Sequence, residues 1–159
     1  MPEHLFILLE NIQVFENKHI GSGQFSDVYY GQINRTTPVA IKILKANSKI
    51  SLDDLCCEVI CTSTIGHHDN VLGLKGVYCP QNTPVTLVKS GNHSGHNHLA
   101  QPSIYDRFMI LTPFMDKGDL YHQLQNPDNS FNVRLLLSYL RQVASGLSHL
   151  HQGLKVLKT

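Results

Sequence analysis

The feature that most constrains this chain is Ile20-Gly21-Ser22-Gly23-Gln24-Phe25-Ser26-Asp27-Val28, followed shortly by Val39-Ala40-Ile41-Lys42. Closely spaced glycines between apolar residues let backbone amides approach a ligand, and such amides suit phosphate oxygens. A β-branched run ending in lysine supplies a compact positive charge for the same phosphates. A glycine pair alone often makes no more than a turn. Its pairing with Val-Ala-Ile-Lys is what gives the pattern weight. Lys18-His19-Ile20 and Val28-Tyr29-Tyr30 read as the two strands of a hairpin around the loop. The loop therefore opens a hairpin and not a helix, which argues against dinucleotide-binding and Walker-type folds.

With 159 residues the chain is long enough for one domain with a hydrophobic core. A hydrophobic content of 42% and a charged content of 16% are those of a globular protein. A net charge of +1 gives no electrostatic case for nucleic acid or an anionic membrane surface. Cys56, Cys57, Cys61 and Cys79 lie in no metal-ligand spacing and read as reduced thiols, as in a cytoplasmic protein. The apolar run Leu5-Phe6-Ile7-Leu8-Leu9 is too short for a membrane span or a signal-peptide core. Asn34-Arg35-Thr36 and Asn92-His93-Ser94 match the glycosylation pattern, but nothing routes the chain to a secretory lumen, so they read as chance matches.

Along the chain, Val14-Phe15 lead into the first strand, Asn34 to Thr37 form a turn, and Pro38 opens a strand running to Leu44. Ser51 caps a helix over roughly 51–65, with Asp53 and Asp54 in its first turn and Leu52, Leu55, Val59 and Ile60 on its apolar face. Gly66 to Asn70 closes that helix, and Val71 to Tyr78 reads as another strand. Residues 80–104, rich in Pro, Asn, Gly, Ser and His, read as a long exposed loop. His93, His96 and His98 within it invite a metal reading, but a loop of this composition holds no ligand geometry. Phe108 to Leu111 is a buried strand and Leu120 to Leu124 a short helix. Leu136, Leu140, Val143, Leu147 and Leu150 keep a helical stripe, so 132–151 is the longest helix.

These motifs resemble the protein kinase family, in the tyrosine kinase-like form seen in receptor tyrosine kinases. The matching segments are the glycine loop, Val39-Ala40-Ile41-Lys42, His67-His68-Asp69-Asn70-Val71, the Ile110 to Leu120 stretch and Gln142-Val143-Ala144-Ser145-Gly146-Leu147. The resemblance implies an α+β fold: a kinase small lobe of five antiparallel strands with one helix, then two helices of a truncated helical lobe. It implies a division into an N-terminal extension over 1–13, a small lobe over 14–115 with a loop insertion over 80–104, and an incomplete large lobe over 116–159. It implies ATP as cofactor, with Ile20, Gly21, Ser22, Gly23, Phe25, Val28, Ala40, Lys42, Thr112, Pro113 and Met115 around it and Mg2+ accompanying it. Lys42 would contact the phosphates and be held by Glu58; the plainer alternative for Glu58 is a solvated helix residue. Phe25 would cover the phosphates, or only staple the hairpin. Thr112 would stand at the back of the pocket. Pro113, lacking an amide, could offer adenine only its carbonyl, whereas Met115 offers both backbone groups.

Two departures qualify the resemblance. Ser26 replaces the third glycine of the loop. The chain also carries neither the His-Arg-Asp loop nor the Asp-Phe-Gly metal site; Leu157-Lys158-Thr159 fall where the former would begin. The expectation is an ATP-binding part of a protein kinase whose intact form transfers the γ-phosphoryl to protein hydroxyls, incomplete as a catalyst by itself. The alternative is a truncated, non-catalytic interaction module, with another kinase or signalling protein covering the exposed helical face. Either way the expected location is cytoplasmic, or the intracellular part of a receptor if the chain belongs to a longer protein. Tyrosine against serine/threonine specificity stays open.

Overall fold

The computed structural model describes residues 5–45, 52–80 and 107–156. A single turn of 3-10 helix, Leu9–Asn11, leads into β1 (Ile12–Ser22), which folds back as β2 (Ser26–Ile33) and again as β3 (Thr37–Leu44). Next come α1 (Leu52–Ile65), β4 (Gly76–Tyr78), β5 (Met109–Pro113), α2 (Leu120–Gln125) and α3 (Val133–Val156). The strands make one five-stranded antiparallel sheet in the order β1-β2-β3-β5-β4. Fold class and element types are those that the sequence implies.

Local chemistry explains the hairpins. Asn34 and Arg35 sit at φ 52° and 60° between β2 and β3. Two consecutive left-handed residues give the turn twist that matches paired strands, and asparagine tolerates it well. β2 and β3 stay in register from Ser26↔Leu44 to Ile33↔Thr37. At Gly31 there is no room for a side chain: a Cβ would lie 2.2 Å from Ile41 Cδ1 and 2.6 Å from the Gln13 carbonyl.

Strand alternation sorts the sheet into two faces. One buries Ile12, Val14, Val39, Ile41, Ile43, Met109 and Leu111, with Ile7, Tyr29, Ile33 and Tyr78 packed on them. Each large aliphatic chain withdrawn from water there contributes about 1.5–3 kcal/mol. The other face receives α1 through Val59, which packs with Val77 and Ile110. The segment before β1 also belongs to the sheet. The Ile7 amide donates to the Val77 carbonyl (2.9 Å), and Phe6 bridges Val77 in parallel.

Three expectations change in detail. The strand anticipated over Val71 to Tyr78 is only Gly76–Tyr78. It pairs with Met109 to Leu111 of β5, the Lys75 amide donating to the Leu111 carbonyl (2.8 Å), while the Val71 amide is turned back onto the His68 carbonyl (3.1 Å). Of the apolar stripe assigned to α1, Val59 is buried but Ile60 is 43% exposed, because the sheet meets the helix on the Val59 side. Helix α3 continues past 151 to Val156. Ser51, residues 81–106, which include all but Pro80 of the loop expected over 80–104 and its three histidines, and Leu157 to Thr159 lie outside the described residues. Cys57, Cys61 and Cys79 are free thiols. No helix of the described residues is long and apolar enough to cross a membrane.

Candidate functional site

Register builds the site. Val28 lies opposite Lys42 and Tyr30 opposite Ala40 across β2 and β3. Ala40 in turn faces Thr112, and Lys42 faces Ile110, across β3 and β5. Directly paired residues share a face, so Val28, Ala40, Lys42 and Thr112 line one side of the sheet, the side that carries α1. Gly21 pairs with Val28 and brings the glycine hairpin over that side.

Lys42 and Glu58 meet there. The Lys42 ammonium donates to Glu58 Oε1 at 2.7 Å and Oε2 at 2.9 Å. The side chains are 38% and 41% exposed, so the pair is open to solvent and not in the core. A lysine held on both carboxylate oxygens is aimed along this face and keeps a free donor direction for an incoming anion.

The loop between β1 and β2 is closed by its own backbone. The Gly23 amide donates to the Ser26 carbonyl (2.8 Å), and the Lys45 amide donates to the Phe25 carbonyl (2.9 Å). Ile20 and Phe25 stay 46% and 40% exposed, apolar surface left at the mouth of the hairpin. The Ser22 hydroxyl is committed elsewhere: it donates to Asp27 Oδ1 at 2.7 Å. The Lys45 ammonium donates to the Gly23 carbonyl (2.8 Å) and Ser22 Oγ (3.1 Å) and lies 3.4 Å from Asp27 Oδ1. The Ser22 hydroxyl, followed by Lys45, holds the Asp27 carboxyl below its usual range. Sequence reasoning did not find Lys45, whose role depends on a reach back to a loop carbonyl that no spacing rule encodes.

Beyond β5 the chain runs through Pro113 and Met115. The Phe114 amide donates to the Pro38 carbonyl (3.4 Å) and the Gly118 amide to the Met115 carbonyl (3.1 Å), with Gly118 at φ 68°. That turn occupies one lone pair of Met115, whose side chain is 54% exposed. Asp119 caps α2, its carboxylate accepting from the His122 amide at 2.9 Å. A groove of about 460 Å³ opens beside Met115, between Asp69–Leu72, Leu120 and the Tyr139–Val143 part of α3. The described residues hold no cluster of three or more His, Cys, Asp or Glu fit to bind a metal ion.

The family model for protein tyrosine and serine/threonine kinases matches residues 14–156. A probable LRR receptor-like serine/threonine-protein kinase of Arabidopsis thaliana is 29% identical over 138 residues, covering 86% of this chain and 13% of that protein. The tyrosine-protein kinase SRK2 of Spongilla lacustris is 29% identical over 133 residues, 84% of this chain and 30% of its own length. The ephrin type-B receptor 1-A of Xenopus laevis is 31% identical over 140 residues, 84% of this chain and 12% of the receptor. The chain thus spans a minor part of the relatives it matches. Its sheet, its helices and this match agree: the chain belongs to the protein tyrosine and serine/threonine kinase family.

Proposed function

We propose that this chain binds ATP under the glycine hairpin, as the nucleotide-binding part of a kinase that in its whole form transfers the γ-phosphoryl group to protein hydroxyls. The observation that carries the reading is the two-oxygen contact between Lys42 and Glu58 on the sheet face below the hairpin. It presents a fixed cation where the phosphates would lie. Val28 and Ala40 would cover the adenine ring from above, with Ile20 at the rim and Thr112 at the back. The carbonyl of Pro113 and the backbone of Met115 would meet the base edge. The hairpin tip from Gly21 through Ser22 to Gly23, with Phe25 above, would close over the phosphates, the Gly23 amide itself being held by the Ser26 carbonyl.

Mg2+ would arrive with the nucleotide. The described residues hold no group of three or more His, Cys, Asp or Glu that could fix an ion by themselves. The sequence contains neither His-Arg-Asp nor Asp-Phe-Gly. Phosphoryl transfer rests on a placed nucleophile and metal, so these residues by themselves bind and do not turn over. The test is thermal: saturating ATP at about a hundred times Kd should stabilise the fold by about 2.7 kcal/mol. Lys42→Ala should abolish the shift. A wild-type chain that melts identically with and without ATP would sink the proposal.

A second reading has its own observation. Leu137, Leu140, Val143 and Leu147 of α3 are 59%, 65%, 52% and 61% exposed. An apolar stripe of that continuity suits a protein partner, and the chain would then act by docking. Leu140→Asp with Leu147→Asp should leave ATP binding intact and remove any such association in sedimentation.

A further inference from the structure

We infer that Lys45 is a positioning residue for the nucleotide site, a latch that fixes the height of the glycine hairpin without touching the nucleotide. The inference rests on the ATP reading above and deepens it.

Lys45 holds the tip of the hairpin at two points. Its main-chain amide donates to the Phe25 carbonyl (2.9 Å), and its side chain donates to the Gly23 carbonyl (2.8 Å). The Gly23 amide adds a third restraint there, donating to the Ser26 carbonyl (2.8 Å). The ammonium is itself aimed by Ser22 Oγ at 3.1 Å and Asp27 Oδ1 at 3.4 Å, and His19 Nε2 lies 3.7 Å from the same carboxylate oxygen.

The face matters. Asp27 pairs with Ile43, whereas Val28 pairs with Lys42. Alternation therefore puts Asp27 and its cluster on the side of the hairpin away from Lys42 and Glu58. A nucleotide held by Lys42 would lie across the backbone from Lys45. The latch acts through Gly23: pulling its carbonyl outward turns the adjoining peptide, and with it the loop amides, toward the cleft. Only the phosphate end of a nucleotide would sense this, because adenine contacts come from β2, β3 and the linker.

Lys45→Met tests this in the full chain, since it keeps the main-chain amide bond and the apolar stem while removing the side-chain half of the latch. Affinity for ATP and ADP should fall about three- to ten-fold, less than the full worth of one charge-assisted hydrogen bond because the latch is exposed and acts on the nucleotide indirectly. Adenosine affinity should not change. Lys45→Arg should restore most of the loss, and Asp27→Asn should reproduce part of it. Without any ligand, Lys45→Met should speed hydrogen exchange at the Gly23 amide by a similar factor while β2 and β3 stay protected. Equal losses for ATP and adenosine, or an unchanged ATP affinity, would overturn the latch. If the wild type binds neither ligand, the ATP reading fails, and the exchange comparison alone decides: unchanged Gly23 exchange overturns the latch and faster exchange upholds it as a loop restraint.

Discussion

The imidazole rings of His68 and His149 stack with centroids 4.7 Å apart and planes 22° from parallel. Their outer contacts assign the protons. His68 Nδ1 accepts from the Asn70 amide (3.0 Å), leaving Nε2–H for Ser145 Oγ (3.3 Å), and His149 Nε2–H donates to the Ile65 carbonyl (2.8 Å). One ring pair thus ties the turn after α1 to the middle of α3. His149→Ala removes both the stack and the cap on Ile65, and is expected to cost about 1–2 kcal/mol in denaturant unfolding.

Gly146 should resist substitution although it sits inside a helix. Alanine would favour the helix by about 1 kcal/mol on propensity alone. Its Cβ, however, would stand 2.7 Å from the Asn70 carbonyl, which is backbone and cannot swing aside. Gly146→Ala is expected to destabilise by about 1–3 kcal/mol, the usual result of overpacking. Equilibrium melts of the two proteins decide the sign.

Glu58 separates stability from binding. The Lys42–Glu58 pair is more than a third exposed on both sides, so its net worth to the fold is about 0–1 kcal/mol. Glu58→Gln should therefore barely move the melting temperature. It should weaken ATP binding several-fold, because Lys42 loses the anchor that aims it. Calorimetric titration beside a melt measures both quantities on one sample.

Acid should loosen the glycine hairpin. Asp27 is held low chiefly by Ser22, and Asp119 by the His122 amide followed by its ring. A carboxyl favoured as its anion in the folded state binds fewer protons there than when unfolded. Its contribution is complete above the ordinary aspartate range, about pH 4, and is lost as the pH falls through the lower folded value. Asp27→Asn with Asp119→Asn should flatten the fall in stability between about pH 5 and pH 2. An unchanged slope would show that other groups carry it.

Much of this arrangement was legible in the residues. The β-branched run ending at Lys42 favours extended backbone and the turn at Asn34 suits a left-handed residue, so their strands follow; the glycine pair marks the loop, although neither Gly21 nor Gly23 takes a positive φ. The contact of Glu58 with Lys42 was legible only through the family resemblance, which expects a glutamate on the helix after the lysine's strand. Val71 to Lys75 was not: an apolar run reads as a strand, but here the Val71 amide turns back onto the His68 carbonyl and the ladder begins only with the Lys75 amide's bond to Leu111. Ile60 misled for a related reason, since helical spacing says which residues share a face and not how much of it a short sheet covers. Lys45 left no signal, because a side chain that seeks a main-chain carbonyl obeys shape and not pattern.

The short pairing of Phe6 and Ile7 with Val77 also bears on how the molecule behaves in a crowd. β4 ends the sheet, and unoccupied groups on such a strand template the addition of another chain. Leu5 to Ile7 occupies that margin, pressed onto Gly76, where a Cβ would sit 2.3 Å from Ile7 Cδ1. A chain trimmed of these residues would keep most of its interior and expose a sticky border. Its first failure would be self-association strand by strand, ahead of any loss of the cleft.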